Sequence, residues 1–570
     1  MSLRLLARAP FALAALGLVA CGGEDPAPTD EPKGVPAETT TPTLKTAPEL
    51  SKDDLGARIE ILASDAFEGR APGSAGGRKT VEWLEGEFAR IGLKPAGRDG
   101  SYRQPVPLLS ALLNSDASSM SVATPDGERA LSFGDEVVYW TKRVEENIAV
   151  DASDLVFVGY GVVAPEYQWN DYEGLDVTGK TVVILVNDPG YEVKEDVFFK
   201  GESMTYYGRW TYKYEEAARQ GAAGAIIVHE TAPAAYPWAV VEGSWTGPQL
   251  DLERPDAGAS RTAFEGWITV DIARELFAAA GMDFDAEKKA ALTPAFTPVP
   301  LGELKVSAEL STSFSRQISA NVAGVVEGDG AADEYVLYMA HWDHLGRTFS
   351  GDDTISNGAV DNATGTAAIL EIAEAYANLG VKPKRSLLFL AVTAEESGLL
   401  GSAYYAEDPL VPFEKTVGGI NIDALLPVGP TKDLIVIGYG ASELEDTLNI
   451  VAKSKGKYLR PDASPENGYF YRSDHISLAK KGVPMLYADT GVDAVEGGEA
   501  AGEAFAATYT AERYHKPADE YDGDWNLDGM IEDVEILYET GRRIAFSSQW
   551  PNWYDGNEFR ALRDAQLAED

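Results

Sequence analysis

Tyr335-Val-Leu-Tyr-Met-Ala-His341-Trp-Asp343-His344 decides how the second half of this chain folds. Tyr335 to Met339 is an apolar run of strand length, and polar side chains able to bind metal follow almost at once. The pattern recurs downstream. Ser386 to Val392 runs into Glu395 and Glu396, and Gly418 to Ile422 runs into Asp423. Leu434 to Ile437 is a fourth such run, and helical stretches at Thr366 to Leu379 and Ser442 to Lys453 lie between them. This alternation predicts an α/β fold, a mostly parallel mixed sheet sandwiched by helices. Such sheets bind ligands beyond the carboxyl ends of their strands, so three strands deliver polar groups to one edge. Asp361 sits in a Gly- and Asn-rich loop before a helix, from which its carboxylate reaches the same edge. His515, preceded by Tyr514, completes the set. Singly, these residues read as a structural histidine, a solvated Glu pair or a turn aspartate. Together, two imidazoles and three carboxylates make the mixed nitrogen and oxygen field that zinc accepts. One carboxylate can bridge two ions and a further one is left as a base, which points to metal-assisted hydrolysis.

Outward from this core, length and charge set limits. At 570 residues the chain needs more than one ordinary core. Its formal net charge of −43, from 91 acidic against 48 basic residues, repels nucleic acid and anionic membranes, so neither is an expected partner. Residues 1–20 read as an export signal: Arg4 and Arg8 precede the apolar run Phe11 to Ala20, too short to span a bilayer. Leu18-Val19-Ala20-Cys21 resembles a bacterial lipoprotein signal box. That predicts a lipid on Cys21 as the only membrane contact and, with Gly22 next, an outer-membrane location facing the periplasm. Cys21 is the sole cysteine, so no disulfide or thiolate site is expected. Residues 21–48, rich in Pro, Thr, Glu and Ala, predict a disordered tether. Thr80 to Ile91 repeats apolar residues at helical spacing and ends at Gly92. Residues 112–300 change texture: Leu155 to Val158 and Thr181 to Val186 read as strands, Tyr214 to Gln220 as a helix and Ala225 to Val228 as a buried strand. This stretch predicts an inserted β-rich domain interrupting a main domain made of residues 49–111 and 301–570.

The clusters, with Ser64-Asp-Ala-Phe-Glu-Gly-Arg70 and Pro72-Gly-Ser-Ala-Gly76 near the start, resemble the bacterial co-catalytic di-zinc aminopeptidase family. That family also includes glutamate carboxypeptidase and the catalytically silent transferrin receptor ectodomain. The likeness covers roughly residues 50 to 550, and the insert is similar to a protease-associated domain. The resemblance implies two zinc ions per chain, with His341 and Asp423 on one, Glu396 and His515 on the other, and Asp361 bridging. It implies a cis Asp361–Asn362 peptide, Asp343 orienting the His341 imidazole, Glu395 as general base and Tyr514 as oxyanion donor. Arg472 matches a substrate-contacting arginine of some relatives, with an ion pair to Asp474 or another carboxylate as the structural alternative. His344 and His475 are expected to be structural or to support the ligands from behind, and His229 to lie outside the site. Lys516, Ala424 and His344 depart from the common pattern and bear on substrate preference.

The implied activity is that of a zinc exopeptidase, an aminopeptidase acting on peptides or proteins. A carboxypeptidase or dipeptidase of the same fold is the alternative, kept open by Arg472. A binding protein that has lost catalysis predicts broken ligands, and here all are present. A single-zinc glutaminyl cyclase shares the sheet but does not need this full set.

Overall fold

The computed structural model describes residues 44–195, 198–347 and 353–569. The signal and lipid-anchor expectations, residues 1–21, lie outside these. From Leu44 the chain is pinned: Leu44 packs on the main core, and the Thr46 hydroxyl donates to Glu374 at 2.7 Å.

The main sheet contains β1 (Arg103–Leu113), β2 (Val299–Val326), β3 (Ala331–His341), β4 (Arg385–Val392), β5 (Thr416–Asn421), β6 (Asp433–Ile437), β7 (Tyr458–Pro461) and β8 (Met485–Thr490). Their spatial order is β1-β2-β4-β3-β5-β8-β6-β7. The central four, β4, β3, β5 and β8, run parallel, and antiparallel partners flank them. β4 is buried along its whole length, as expected of a parallel strand covered on both faces. One face is covered by α1 (Lys52–Leu62), α2 (Ala75–Ile91), α3 (Thr364–Ala377), α4 (Leu444–Ser454) and α5 (Asp528–Phe546). A second core on the opposite face gathers Leu337, Met339, Leu388, Leu390, Tyr405 and Trp553.

Local chemistry explains where these elements start and stop. The Ser74 hydroxyl accepts from the Gly77 amide at 3.0 Å, capping α2, and Gly92 closes it at φ 89°. The helix begins at Ala75 rather than Thr80, because its first turn is small residues without an apolar signal. Gly76 is required there, since a Cβ would come within 2.0 Å of the Phe67 carbonyl oxygen. α3 is buried nearly all round, so it is a core helix rather than an amphipathic one.

A second sheet occupies the stretch expected to be an insert. Asn147–Phe157, Thr181–Leu185, Gly224–His229 and Phe264–Thr269 run side by side in parallel. Its cores lie on both faces, around Phe157, Phe264 and Phe277 on one and Tyr214, Trp245 and Trp267 on the other. The two sheets share β2. Its first half pairs with Asn147–Phe157 and Ser119–Thr124, its second half with β1 and β4. Positions 112 and 300 therefore fall inside continuous strands, and residues from Leu44 onward form one compact unit.

Candidate metal centre

His341 is the last residue of β3, and its ring is buried at the carboxyl edge of the sheet. Its Nε2 lies 3.0 Å from Asp423 Oδ1 and 3.3 Å from Asp361 Oδ1. The other oxygen of Asp361, Oδ2, lies 3.2 Å from His515 Nε2, which also meets Glu396 Oε2 at 3.0 Å. One carboxylate thus faces two imidazoles, one oxygen to each. A tetrahedral zinc with bonds of about 2.0 Å separates its donors by about 3.3 Å, so both groups have the spacing of a ligand set. The donors suit the ion in type as well, being nitrogen and carboxylate oxygen with no thiolate.

His344 is a second imidazole near Glu396, at 2.6 Å from Nδ1 to Oε1, and His344, Asp361 and Glu396 also converge closely enough to hold a cation. That short contact is a hydrogen bond rather than a ligand–ligand edge, so His515 is the better fit to the second metal position and His344 is a partner of Glu396.

The loops carrying these groups are held from behind. The Asp361–Asn362 peptide is cis. Asp519 accepts from the amides of Val360 and Asp361 at 3.1 Å each, which fixes the loop, and the Tyr509 hydroxyl donates to Asp519 at 3.3 Å. The Asn362 amide group donates to the Ile422 carbonyl at 3.0 Å and accepts from the Ala424 amide at 3.1 Å, tying this loop to the end of β5. Ser473 donates to Asp423 Oδ2 at 2.6 Å and itself accepts from Asn421 at 2.8 Å. Arg70, buried, donates to the carbonyls of Leu62, Trp342, Asn357 and Gly358 at 2.6–2.9 Å. The Ser64–Arg70 motif thus anchors the two loops that follow β3. Asp519 and Ser473 had no role in the sequence reading, because an Asp after Pro-Ala or a Ser before Asp looks like ordinary turn chemistry.

Asp343 departs from expectation. The His341 Nδ1 is held by the Asp343 main-chain carbonyl at 3.2 Å, while the Asp343 carboxylate stands 3.9 Å away, beyond hydrogen-bond reach. That carboxylate accepts from the Glu395 amide at 3.2 Å instead, so it positions Glu395 rather than the imidazole. Tyr514 stacks on His515, with centroids 3.9 Å apart, and its side chain is half exposed. Arg472 makes no ion pair with Asp474. Its guanidinium lies between the rings of Tyr469 and Tyr236, at 5.4 and 5.9 Å. His475 is buried against Phe470 and Tyr487, and His229 lies in the second sheet.

Electrostatics follow from this crowding. Burial opposes protonation of His341, yet Asp423, Glu395 and Asp361 outweigh it and raise the ring well above its ordinary value. For His515 burial likewise works downward, and Asp361 and Glu396 lift it to about 10. Burial raises Asp361, but the His341 and His515 rings overcome it and hold the carboxyl well below its usual range. Glu395 moves the other way. Burial, only partly offset by His341 and reinforced by Glu396, Asp423 and Asp474, keeps it well above the ordinary carboxylate value. Two neighbouring carboxylates, Glu395 and Glu396, are driven apart, the pattern that separates a proton carrier from a ligand.

Residues 321–538 match the model of Peptidase family M28. Among curated proteins the chain is similar to aminopeptidase NAALADL1 of Mus musculus, 37% identical over 23% of this chain and 17% of the relative. It is also similar to leupeptin-inactivating enzyme 1 of Streptomyces exfoliatus, 30% identical over 28% of this chain and 36% of the relative. The matches therefore span well under half the length of these relatives. Among solved structures it is similar to an aminopeptidase from Aneurinibacillus sp. strain AM-1, at 18% identity and a TM-score of 0.47, covering 87% of this chain and 94% of that one. The segment from 321 to 538 that matches the Peptidase family M28 model carries His341, Asp361, Glu395, Glu396, Asp423 and His515.

Proposed function

We propose that this chain is a zinc-dependent exopeptidase, an aminopeptidase that releases N-terminal residues from peptides. The observation that carries the reading is Asp361, whose two oxygens face the His341 and His515 rings separately. His341 and Asp423 would hold one zinc, Glu396 and His515 the other, and Asp361 would be shared. Bound zinc supplies polarisation of the scissile carbonyl and lowers the pKa of water. Glu395 takes the proton from the attacking water and returns it to the departing amine. Its raised affinity for protons suits a group that must both accept and release one. The Asp343 contact to the Glu395 amide fixes the main chain from which that carboxylate projects. Partial burial, with Asp361, Glu396 and Glu395 nearby, keeps the Tyr514 phenol protonated, so it can donate to a developing oxyanion.

The test is hydrolysis of leucine p-nitroanilide against its N-acetylated form, with and without chelator, alongside metal analysis. The expected outcome is about two zinc per chain, cleavage of the free-amine substrate only, and loss of activity on chelation restored by zinc. Equal cleavage of the acetylated substrate overturns the aminopeptidase assignment, and indifference to chelation overturns the metal mechanism. A carboxypeptidase or dipeptidase reading has one observation in its favour: Arg472 has no carboxylate partner among the described residues and stands next to Ser473, which bonds Asp423.

A further inference from the structure

One carboxylate at the same sheet edge lies outside both ligand groups. Asp489 stands near the carboxyl end of β8, the strand beside β5. The two strands are parallel with Asn421 level with Tyr487, so two residues further on Asp489 comes level with the metal ligand Asp423. Side chains alternate along a strand, so Asp489 faces the same side of the sheet as Tyr487. Tyr487 packs on His475, close to Ser473, the partner of Asp423. The Asp489 carboxylate is partly open to solvent, accepts from the Thr490 amide at 2.8 Å and forms no ion pair among the described residues. Burial first, opposed by the Thr490 amide and then reinforced by Asp423, Asp533 and Asp462, pushes it up to about 8. Its neighbour across the sheet is apolar, since Ile435 on β6 stands opposite. Arg460, level with Ile435 on β7, turns instead to Asp433 at 2.9 Å and to Glu499. A carboxylate so placed lacks the partner that would offset its desolvation.

The order of strands says what that partner is. Along the edge, β4 leads to Glu395 and Glu396, β3 ends at His341, β5 leads to Asp423 and β8 carries Asp489. Neighbouring strands lie about 4.8 Å apart, so Asp489 is about 10 Å across the sheet from His341, on the side away from Glu395. Glu395 returns its proton to the departing amine, which puts the leaving group toward β4 and the N-terminal residue toward β5 and β8. The α-amino nitrogen of that residue is two bonds, about 2.5 Å, from the scissile carbonyl carbon and stays at the metals. A long side chain spans the remaining distance. We propose that Asp489 selects substrates whose N-terminal residue is lysine or arginine, by binding the cationic head of that side chain. The aliphatic stem then lies along Ile435 and Tyr487, and the charged head meets the carboxylate. The proposal rests on the peptidase reading and deepens it by naming the substrate class.

Three substrates test it: the p-nitroanilides of lysine, arginine and norleucine, the last having the lysine stem without its charge. They are compared on the zinc-loaded wild type and on Asp489→Asn, which keeps an acceptor for the Thr490 amide. The wild type is expected to favour lysine or arginine over norleucine by about 10- to 100-fold in kcat/KM. In Asp489→Asn that ratio should collapse toward one, chiefly through KM, and in Asp489→Leu it should invert in favour of norleucine. A wild type that treats the three alike or prefers norleucine overturns the assignment, as does a preference that survives in both variants. An equal loss on all three substrates in the variants also overturns it, because the carboxylate then serves the α-amino group or the fold. If none of the three is cut, the peptidase reading fails instead, and calorimetry with free lysine and norleucine decides the site alone. Tighter binding of lysine by the wild type that is lost in Asp489→Asn supports it, and equal affinities overturn it.

Discussion

Two clusters of buried charge sit on the same domain, and they are built on opposite plans. Between α1, α2 and α3, Arg58 and Arg90 are interleaved with Glu87, Glu371 and Glu374. Every carboxylate there meets a guanidinium, and Glu371 also accepts from the Ser51 amide at 3.1 Å. At the edge of the sheet, Asp361, Glu395, Glu396 and Asp423 gather around imidazoles instead. The nearby arginine, Arg70, has its donors on main-chain carbonyls and forms an ion pair with none of them. A cluster that balances itself is a clamp between helices; one that leaves anions unbalanced is arranged for something it has still to bind.

The largest effect expected from this contrast is on chemistry. Glu395→Gln should keep its zinc but lose about 10²- to 10⁴-fold in kcat, the usual worth of a placed general base. Metal analysis beside steady-state kinetics checks it, and near-normal turnover removes Glu395 from the mechanism. Next comes the clamp. Arg58→Met leaves Glu371 and Glu374 buried without their main partner and should cost about 3–5 kcal/mol of stability while sparing zinc content and kcat. Denaturant unfolding measures the loss, and a fall in zinc content instead would erase the distinction between the two clusters. The smallest effect is on pH. In metal-stripped protein the His515 ring is lifted to about 10, against about 6.5 when unfolded. Its contribution is full below about pH 6.5 and is lost as pH rises through 10, so the Tm of chelated protein should decline over that window. His515 is 40% exposed, so solvent screening keeps the decline small. Zinc-loaded protein should show no such slope, and identical slopes would mean that His515 is not paired with Asp361 and Glu396.

Much of the sheet was legible because parallel strands buried on both faces read as unbroken apolar runs. Ser386 to Val392 is β4 to within a residue, and the run read from Tyr335 to Met339 lies inside β3. The residues at the ends of those runs converge because a parallel sheet has only one carboxyl edge. What was not legible depends on tertiary contact. Asp519 fixes the Asp361 loop through main-chain amides that no pattern marks, and Arg70 acts through carbonyls from three separate segments. Asp343 was assigned by the family resemblance, and a matched position cannot tell a carboxylate from its own carbonyl as the group nearest the ring.

β2 is a girder common to two storeys. Its 28 residues enter one sheet and leave through another, with register shifts near Pro300 and Val306 but no break in the strand. Loss of either sheet strips half of this strand of its neighbours, so the two cores are bound to melt as one cooperative body rather than in turn.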